Sequence, residues 1–96
     1  MSKEEIRIKL QNLVPRIERE FHANVEGFFG SRARGDERID SDLDLLISFS
    51  DEADLYDLVG LGDFLEDVFR CKVDIVSRRS LSSDLEPHVL DELVKL

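Results

Sequence analysis

Cysteine is almost absent from this chain of 96 residues, which contains only Cys71. A lone thiol cannot form an internal disulfide framework, which fits a reducing cytoplasm. No segment approaches the roughly 18 consecutive apolar residues of a membrane-spanning helix. The opening residues, MSKEE, do not have the pattern of a secretion signal. We therefore expect a cytoplasmic protein that does not associate with membranes.

Basic residues are also scarce, since 13 Lys and Arg stand against 22 Asp and Glu, for a net charge of −9. A nucleic-acid backbone is bound by clustered positive charge, so it is not the expected direct partner. Cations and basic protein surfaces suit an acidic chain better. Internal repeats and low-complexity segments are missing too, and the length predicts one domain over residues 1–96.

Three segments have the apolar spacing of amphipathic helices: residues 3–22, 54–69 and 82–96. Pro15 is expected to kink or restart the first. In the third, Ser83 and Glu86 have the spacing of a capping box, although Pro87 can instead mark the first turn. Two glycines weaken the second helix, and we expect them to permit close packing against the sheet, so that leucine in place of Gly62 would destabilise the fold: Gly60 and Gly62.

Short runs rich in branched and aromatic residues predict three strands, at residues 25–29, 43–49 and 72–76. Residues 31–36 can form one helical turn between the first two strands, with Ser31 as its N-cap. The predicted order is α-β-α-β-α-β-α. We therefore expect an α/β (α+β) domain with a small sheet of about three strands flanked by helices.

Two carboxylates stand at the start of the second predicted strand, in SDLDLLI. Side chains two apart on a strand point to the same face, so Asp42 and Asp44 project together while Leu43 and Leu45 face the core. Carboxylates about 5 Å apart repel by about 3 kcal/mol at an effective dielectric constant near 20. Nearby arginines could balance this charge. A divalent cation would do so better, and oxygen-only ligands favour magnesium or manganese.

Asp74 is a third carboxylate, alone in the apolar run KVDIV. If its strand neighbours the second one, Asp74 can face the same side as Asp42 and Asp44. Three carboxylates around one point can hold two metal ions roughly 3.5–4 Å apart. Asp74 would then act both as a metal ligand and as the general base for an attacking hydroxyl.

A Gly-Ser pair, Gly30 and Ser31, ends the first predicted strand. Glycine lets the backbone approach a ligand closely, and a serine that opens a helical turn offers its hydroxyl and backbone N–H groups to a phosphate. Metal-binding carboxylates beside a phosphate-binding turn predict a site for a nucleoside triphosphate. Arg32 can contact that triphosphate or can only balance the nearby acids.

The residues Gly30-Ser31, ten further residues and then Asp42-Leu43-Asp44 have the form GS-x10-D-x-D. With the later strand aspartate, this pattern resembles the DNA polymerase beta-like nucleotidyltransferase superfamily. The fuller segments FGSRARG, SDLDLLI and VDIVSRRSL are similar to its minimal nucleotidyltransferase (MNT) branch. The resemblance covers nearly the whole chain, and no motif position departs from it.

This resemblance implies a small mixed sheet flanked by helices and transfer of a nucleoside monophosphate from a triphosphate to a hydroxyl, with Mg²⁺. Minimal members are commonly the antitoxin of a pair whose toxin is a HEPN ribonuclease, and they are thought to adenylylate that toxin with ATP. Carried over by motif, Gly30 and Ser31 bind phosphate, Asp42 and Asp44 bind metal, and Asp74 is the third carboxylate.

Other functions remain open at this point. The chain could neutralise a toxin by binding and occlusion without essential catalysis, or it could modify a small molecule or RNA. Asp40, Asp42 and Asp44 also mimic the start of a calcium-binding loop. That loop needs glycine at its sixth position and glutamate at its twelfth, where this chain has Leu45 and Asp51.

Overall fold

The computed structural model describes all residues from Met1 to Leu96. Four helices, a short 3-10 turn and four strands follow one another along the chain: α1 (Lys3–Phe21), β1 (Ala23–Phe29), α2 (Ser31–Arg34), β2 (Leu43–Phe49), α3 (Leu55–Phe69), β3 (Val73–Ser77), the 3-10 turn (Arg78–Ser80), α4 (Glu86–Glu92) and β4 (Val94–Lys95). The predicted mixture of helices around a small sheet is confirmed. None of the helices has the length and apolar character needed to span a membrane.

The strands form one mixed sheet in the order β3-β2-β1-β4. β1 runs antiparallel to both of its neighbours, whereas β2 and β3 are parallel. Parallel neighbours need a crossover connection, and α3 supplies it. Because β2 and β3 run in the same direction, their first residues meet at one edge of the sheet, close to the end of β1.

The hydrophobic core lies between one face of the sheet and the two long helices, α1 and α3. As predicted, Leu43 and Leu45 of β2 face the core, where they and Ile47 are fully buried. Asp44 projects to the opposite face, on which Leu46 is also fully buried. α1 contributes three buried residues at helical spacing, namely Ile6, Leu10 and Ile17. Pro15 lies inside α1 on its exposed side, and the helix continues through it rather than restarting.

The C-terminal segment differs from the single helix predicted for residues 82–96. It forms the short α4, with Pro87 in its first turn as expected, and then the two-residue strand β4. The capping box of Ser83 and Glu86 does not form. β4 pairs with Gly27 and Phe28 of β1, where a side chain on Gly27 would overlap the carbonyl oxygen of Val94. Hydrogen bonding to this otherwise open strand edge prevails over helical spacing in so short a segment.

The two glycines of α3 also differ in their surroundings from what was expected. A Cβ at Gly60 would stand 3.2 Å from Phe21 Cε1, so the close contact is with α1 rather than with the sheet. At Gly62 the nearest atom would be Ile75 Cδ1 at 3.7 Å, an ordinary van der Waals separation. The close packing predicted for this helix is therefore between two helices, and it is at Gly60.

Candidate nucleotide site

Asp44 and Asp74 lie side by side at the edge where β2 and β3 begin. The parallel register pairs Asp44 with Asp74 and, one position earlier, Leu43 with Val73. Directly paired residues of neighbouring strands project from the same face. The backbone N–H of Leu43 also donates to the carbonyl of Lys72 at 2.8 Å, so the hydrogen bonding between the two strands extends to the residue before β3.

Asp42 precedes β2 by one residue and is exposed, as is Asp74, whereas Asp44 is half-buried. Burial raises the pKa of the Asp44 carboxyl, and the negative charges of Asp74 and Asp42 raise it further. The structure therefore brings the three predicted carboxylates close enough for their charges to act on one another. Excess negative charge at one point is the electrostatic condition for binding a cation.

The backbone of Gly30 is in close contact with the Asp44 carboxylate. Its backbone has φ 80°, and a Cβ at this position would overlap Asp44 Oδ2. Gly30, rather than the predicted Ser31, is the N-cap of α2, and Ser31 is the first helical residue. The prediction of the cap was wrong by one residue because only glycine fits both this φ and this close approach. The Gly-Ser turn and the aspartates do meet at one place.

Arg32 points elsewhere. Its guanidinium donates to the carbonyl oxygen of Ser41 at 2.8 Å, and its Nε is buried without a partner. The side chain lines a cavity of about 190 Å³ that also touches the core residues Leu43 and Phe69. In this position Arg32 fixes the loop just before Asp42. The contact between Arg32 and phosphate remains a prediction.

Arg34 is the basic side chain that the structure brings to the aspartates. Its positive charge lowers the pKa of Asp44, opposing the carboxylates around it. The guanidinium is held by Glu92 of α4 at 2.8 Å and by Asp36 at 3.2 Å. A signal for Arg34 existed in the sequence, since it follows Ser31 by three residues and so lies on the same side of a helical turn. No local signal places Glu92 there.

The donor chemistry of the three aspartates fits a hard divalent cation, because they offer only carboxylate oxygens. Burial is the main reason why the pKa of Asp44 is raised, and the negative charges of Asp74 and Asp42 raise it further, so a cation beside these carboxylates would be favoured. As the side chains stand, no three His, Cys, Asp or Glu groups converge on one metal position. Two surface cavities, of about 620 and 510 Å³, do not include these aspartates. The candidate site is therefore an exposed surface at the end of the sheet where β2 and β3 begin.

Comparison with known proteins connects this geometry to a family. The family model of the nucleotidyltransferase domain matches residues 10–96. The protein adenylyltransferase MntA of Thermococcus cleftensis is 38% identical over 71% of this chain and 69% of its own length. A protein adenylyltransferase of Methanocaldococcus jannaschii, MJ0435, is 38% identical over 69% of this chain and 71% of its own.

Two solved structures share the fold. A structure described as a minimal nucleotidyltransferase has a TM-score of 0.82 and 38% identity, and it covers 100% of this chain and 97% of its own. A toxin-antitoxin crystal structure with AMP-PNP has a TM-score of 0.71 and 24% identity, over 88% of this chain and 70% of its own. At the latter identity the likeness concerns the fold alone.

Proposed function

Given that the chain belongs to the nucleotidyltransferase domain family and is an enzyme of that class, we propose that it transfers AMP from ATP to a hydroxyl of a partner protein. Relatives that carry the name protein adenylyltransferase support this choice of nucleotide and acceptor. The observation that carries the proposal is the pairing of Asp44 with Asp74 above the Gly30 turn. It supports the proposal because the carboxylates lie beside the turn that we propose binds phosphate.

The proposed reaction is a displacement at the α-phosphorus of ATP. The acceptor oxygen forms the new bond to phosphorus, the bond to the β-phosphate bridge breaks, and pyrophosphate leaves. Asp74, which is exposed and faces the same side as Asp44, accepts the proton of the acceptor hydroxyl. Gly30 and Ser31 bind the phosphates through backbone N–H groups and the serine hydroxyl. Arg34 moves from its carboxylate partners to balance the phosphate charge.

Asp42 and Asp44, with Asp74, are the residues that would hold the divalent cations, Mg²⁺ or Mn²⁺. When bound, such ions neutralise phosphate charge and make the acceptor hydroxyl more acidic. The carboxylates cannot be replaced by amides without losing this capacity, since a neutral amide oxygen offers no charge to a hard cation. Two ions fit the number of carboxylates, by analogy with other sites of three acidic ligands.

A HEPN ribonuclease toxin is the proposed partner, with this chain as its antitoxin. The similarity to minimal nucleotidyltransferases favours this partner, and the fold is shared with a toxin-antitoxin structure. Charge agrees with it, since a net charge of −9 suits a basic partner. A protein that docks on the chain would bring its own hydroxyl to the site.

The test is label transfer. The purified chain is incubated with α-labelled ATP, Mg²⁺ and the protein encoded beside its gene, and mass spectrometry then looks for an added AMP. We expect one labelled side-chain hydroxyl and no label with the Asp42→Asn or Asp44→Asn variants. An intact neighbour that stays unlabelled would contradict the proposal. If Asp42→Asn still neutralises the partner in cells, neutralisation is by occlusion, and catalysis is not required for it.

A further inference from the structure

The N-terminal half of α3 is apolar on two opposite sides. Residues 55–62 read LYDLVGLG, in which Asp57 is the only charged residue. One side enters the core through Leu61 and, one turn later, Leu65, both fully buried. A helix that is apolar all round is normally covered all round. Here the second side has no cover within the chain.

Three large side chains form this uncovered side: Leu55, Tyr56 and Val59 are 71%, 85% and 56% exposed. Their spacings of three and four residues make them neighbours on the helix surface. Two further positions of α3 are occupied, since Gly60 meets Phe21 of α1 and Gly62 faces Ile75 of β3. We call the three residues the α3 patch.

Negative charge surrounds the α3 patch. The segment 50–69 contains no Lys, Arg or His, and its acidic residues are Asp51, Glu52, Asp54, Asp57, Asp63, Glu66 and Asp67. From outside the segment, His22 reaches Asp57 and Glu52, Arg79 reaches Asp51 and Arg70 reaches Asp67, and the Arg16 guanidinium lies over the Phe64 ring. These few contacts leave a strong excess of negative charge around an apolar centre.

That charge decides which occupant fits. Nucleic acid and anionic lipid surfaces are repelled by it. A second copy of the chain, placed face to face, would bring two acidic rims together, which disfavours self-association through this patch. A protein surface with an apolar centre and a basic rim is attracted by both features. An exposed helical stripe, moreover, offers the ridges and grooves into which another helix packs.

We propose that the α3 patch docks an amphipathic helix of a partner protein, one with an aliphatic face flanked by Lys or Arg. Tyr56 is the expected centre of the contact, because tyrosine buries a large amphipathic surface at little entropic cost. Phe49 lies five positions after Asp44 on β2, roughly 16 Å away, and α3 starts beyond Phe49. The docked helix therefore leaves the nucleotide site free, and the proposal stands whether or not the chain transfers AMP.

The test is an NMR titration of the ¹⁵N-labelled chain with an 18-residue amphipathic peptide of Leu and Lys. We expect shifts confined to residues 54–63, with Gly30 and Asp44 unmoved. Leu55→Ala combined with Val59→Ala should weaken binding about tenfold, because it removes two of the three large side chains of the α3 patch. These substitutions leave the charge unchanged, so non-specific attraction to an acidic protein is unaltered. Ile39→Ala, which removes a fully exposed apolar side chain outside the patch, is the matched control and should bind normally.

Four results would overturn the proposal. The first is absence of peptide binding, and the second is equal affinity in the double variant. The third is a preference for anionic or acidic ligands. It would be seen as equal or tighter binding of a peptide in which Glu replaces Lys, or as binding of vesicles rich in phosphatidylglycerol. The fourth is a dimer in sedimentation experiments that the double variant abolishes, which would make a second copy the occupant.

Discussion

Asp44 and Asp74 are paired directly across the parallel strands β2 and β3, and each is the second residue of its strand. The two carboxylates repel each other, and Asp44 is also half-buried, in close contact with the turn at Gly30. Such an arrangement costs stability in the absence of cations, and residues that cost stability are commonly kept for function.

Asp44→Asn should stabilise the fold at pH 7 while abolishing transfer. The substitution keeps the shape and removes one of three neighbouring negative charges. We expect a gain of roughly 0.5–1 kcal/mol, the size of a partly screened charge interaction. For a chain of this length, 1 kcal/mol corresponds to about 4–8 °C in Tm. Thermal unfolding in metal-free buffer measures it, and a lower Tm for the variant would mean that the carboxylate is structurally required.

The stability gained by Asp44→Asn should depend on pH. The pKa of Asp44 is raised in the folded chain by burial and by Asp74 and Asp42, so the folded state binds the proton more tightly than the unfolded state. The slope of stability with pH is therefore negative for this group, and its destabilising effect appears as pH rises from its ordinary pKa through the folded one. The stability difference between Asp44→Asn and the wild type should shrink as pH falls toward 4, and a constant difference would contradict the assignment.

Gly30→Ala should reduce transfer strongly, because its Cβ would overlap Asp44 Oδ2 and displace the carboxylate. Gly35→Ala is a partial control, because Gly35 lies in the left-handed helical region (φ 84°, ψ 16°) and no atom lies within 4 Å of its Cβ position. Gly30 has φ 80° and ψ −154°, a region that essentially only glycine adopts, so Gly30→Ala adds a larger backbone strain to the contact with Asp44. Transfer rate and Tm are measured for both variants, and a Gly30→Ala variant that transfers AMP as fast as Gly35→Ala would contradict the importance of this position.

Gly62→Ala and Gly60→Ala should differ in stability. Alanine is favoured over glycine within a helix by roughly 1 kcal/mol, and at Gly62 the new Cβ finds ordinary spacing from Ile75. At Gly60 it would press on the Phe21 ring at 3.2 Å, which offsets the gain. Chemical denaturation should therefore give a higher free energy of unfolding for Gly62→Ala than for Gly60→Ala. The reverse order would contradict a close helix contact at Gly60.

The sequence predicted what depends on local spacing and periodicity. The strand alternation of Leu43, Asp44 and Leu45 and the offset from Gly30 to Asp44 were enough to predict a shared site. Features that depend on long-range contacts were missed. β4 forms because β1 has a free edge, and Glu92 reaches Arg34 only once α4 has folded back, across 58 positions of sequence separation. Neither event leaves a local periodic signal.

Arg34→Ala should weaken the binding of AMP-PNP and Mg²⁺ about tenfold. A charge-assisted hydrogen bond contributes about 1.5–3 kcal/mol, and tenfold in Kd corresponds to about 1.4 kcal/mol. The lower end is expected because Arg34 must first leave Glu92 and Asp36. Glu92→Gln should act in the opposite direction and tighten binding, since it frees the guanidinium and removes an anion near the triphosphate.

Isothermal titration calorimetry with the non-hydrolysable analogue separates these effects from catalysis. Arg38→Ala is the matched control, because Arg38 is an exposed arginine four residues after Arg34, in the loop that follows α2, and its removal changes the net charge equally. If Arg34→Ala and Arg38→Ala weaken binding to the same extent, the effect is one of overall charge. If Glu92→Gln also weakens binding, then Glu92 orients Arg34 toward the phosphates instead of competing for it, and the carboxylate of α4 belongs to the nucleotide site itself.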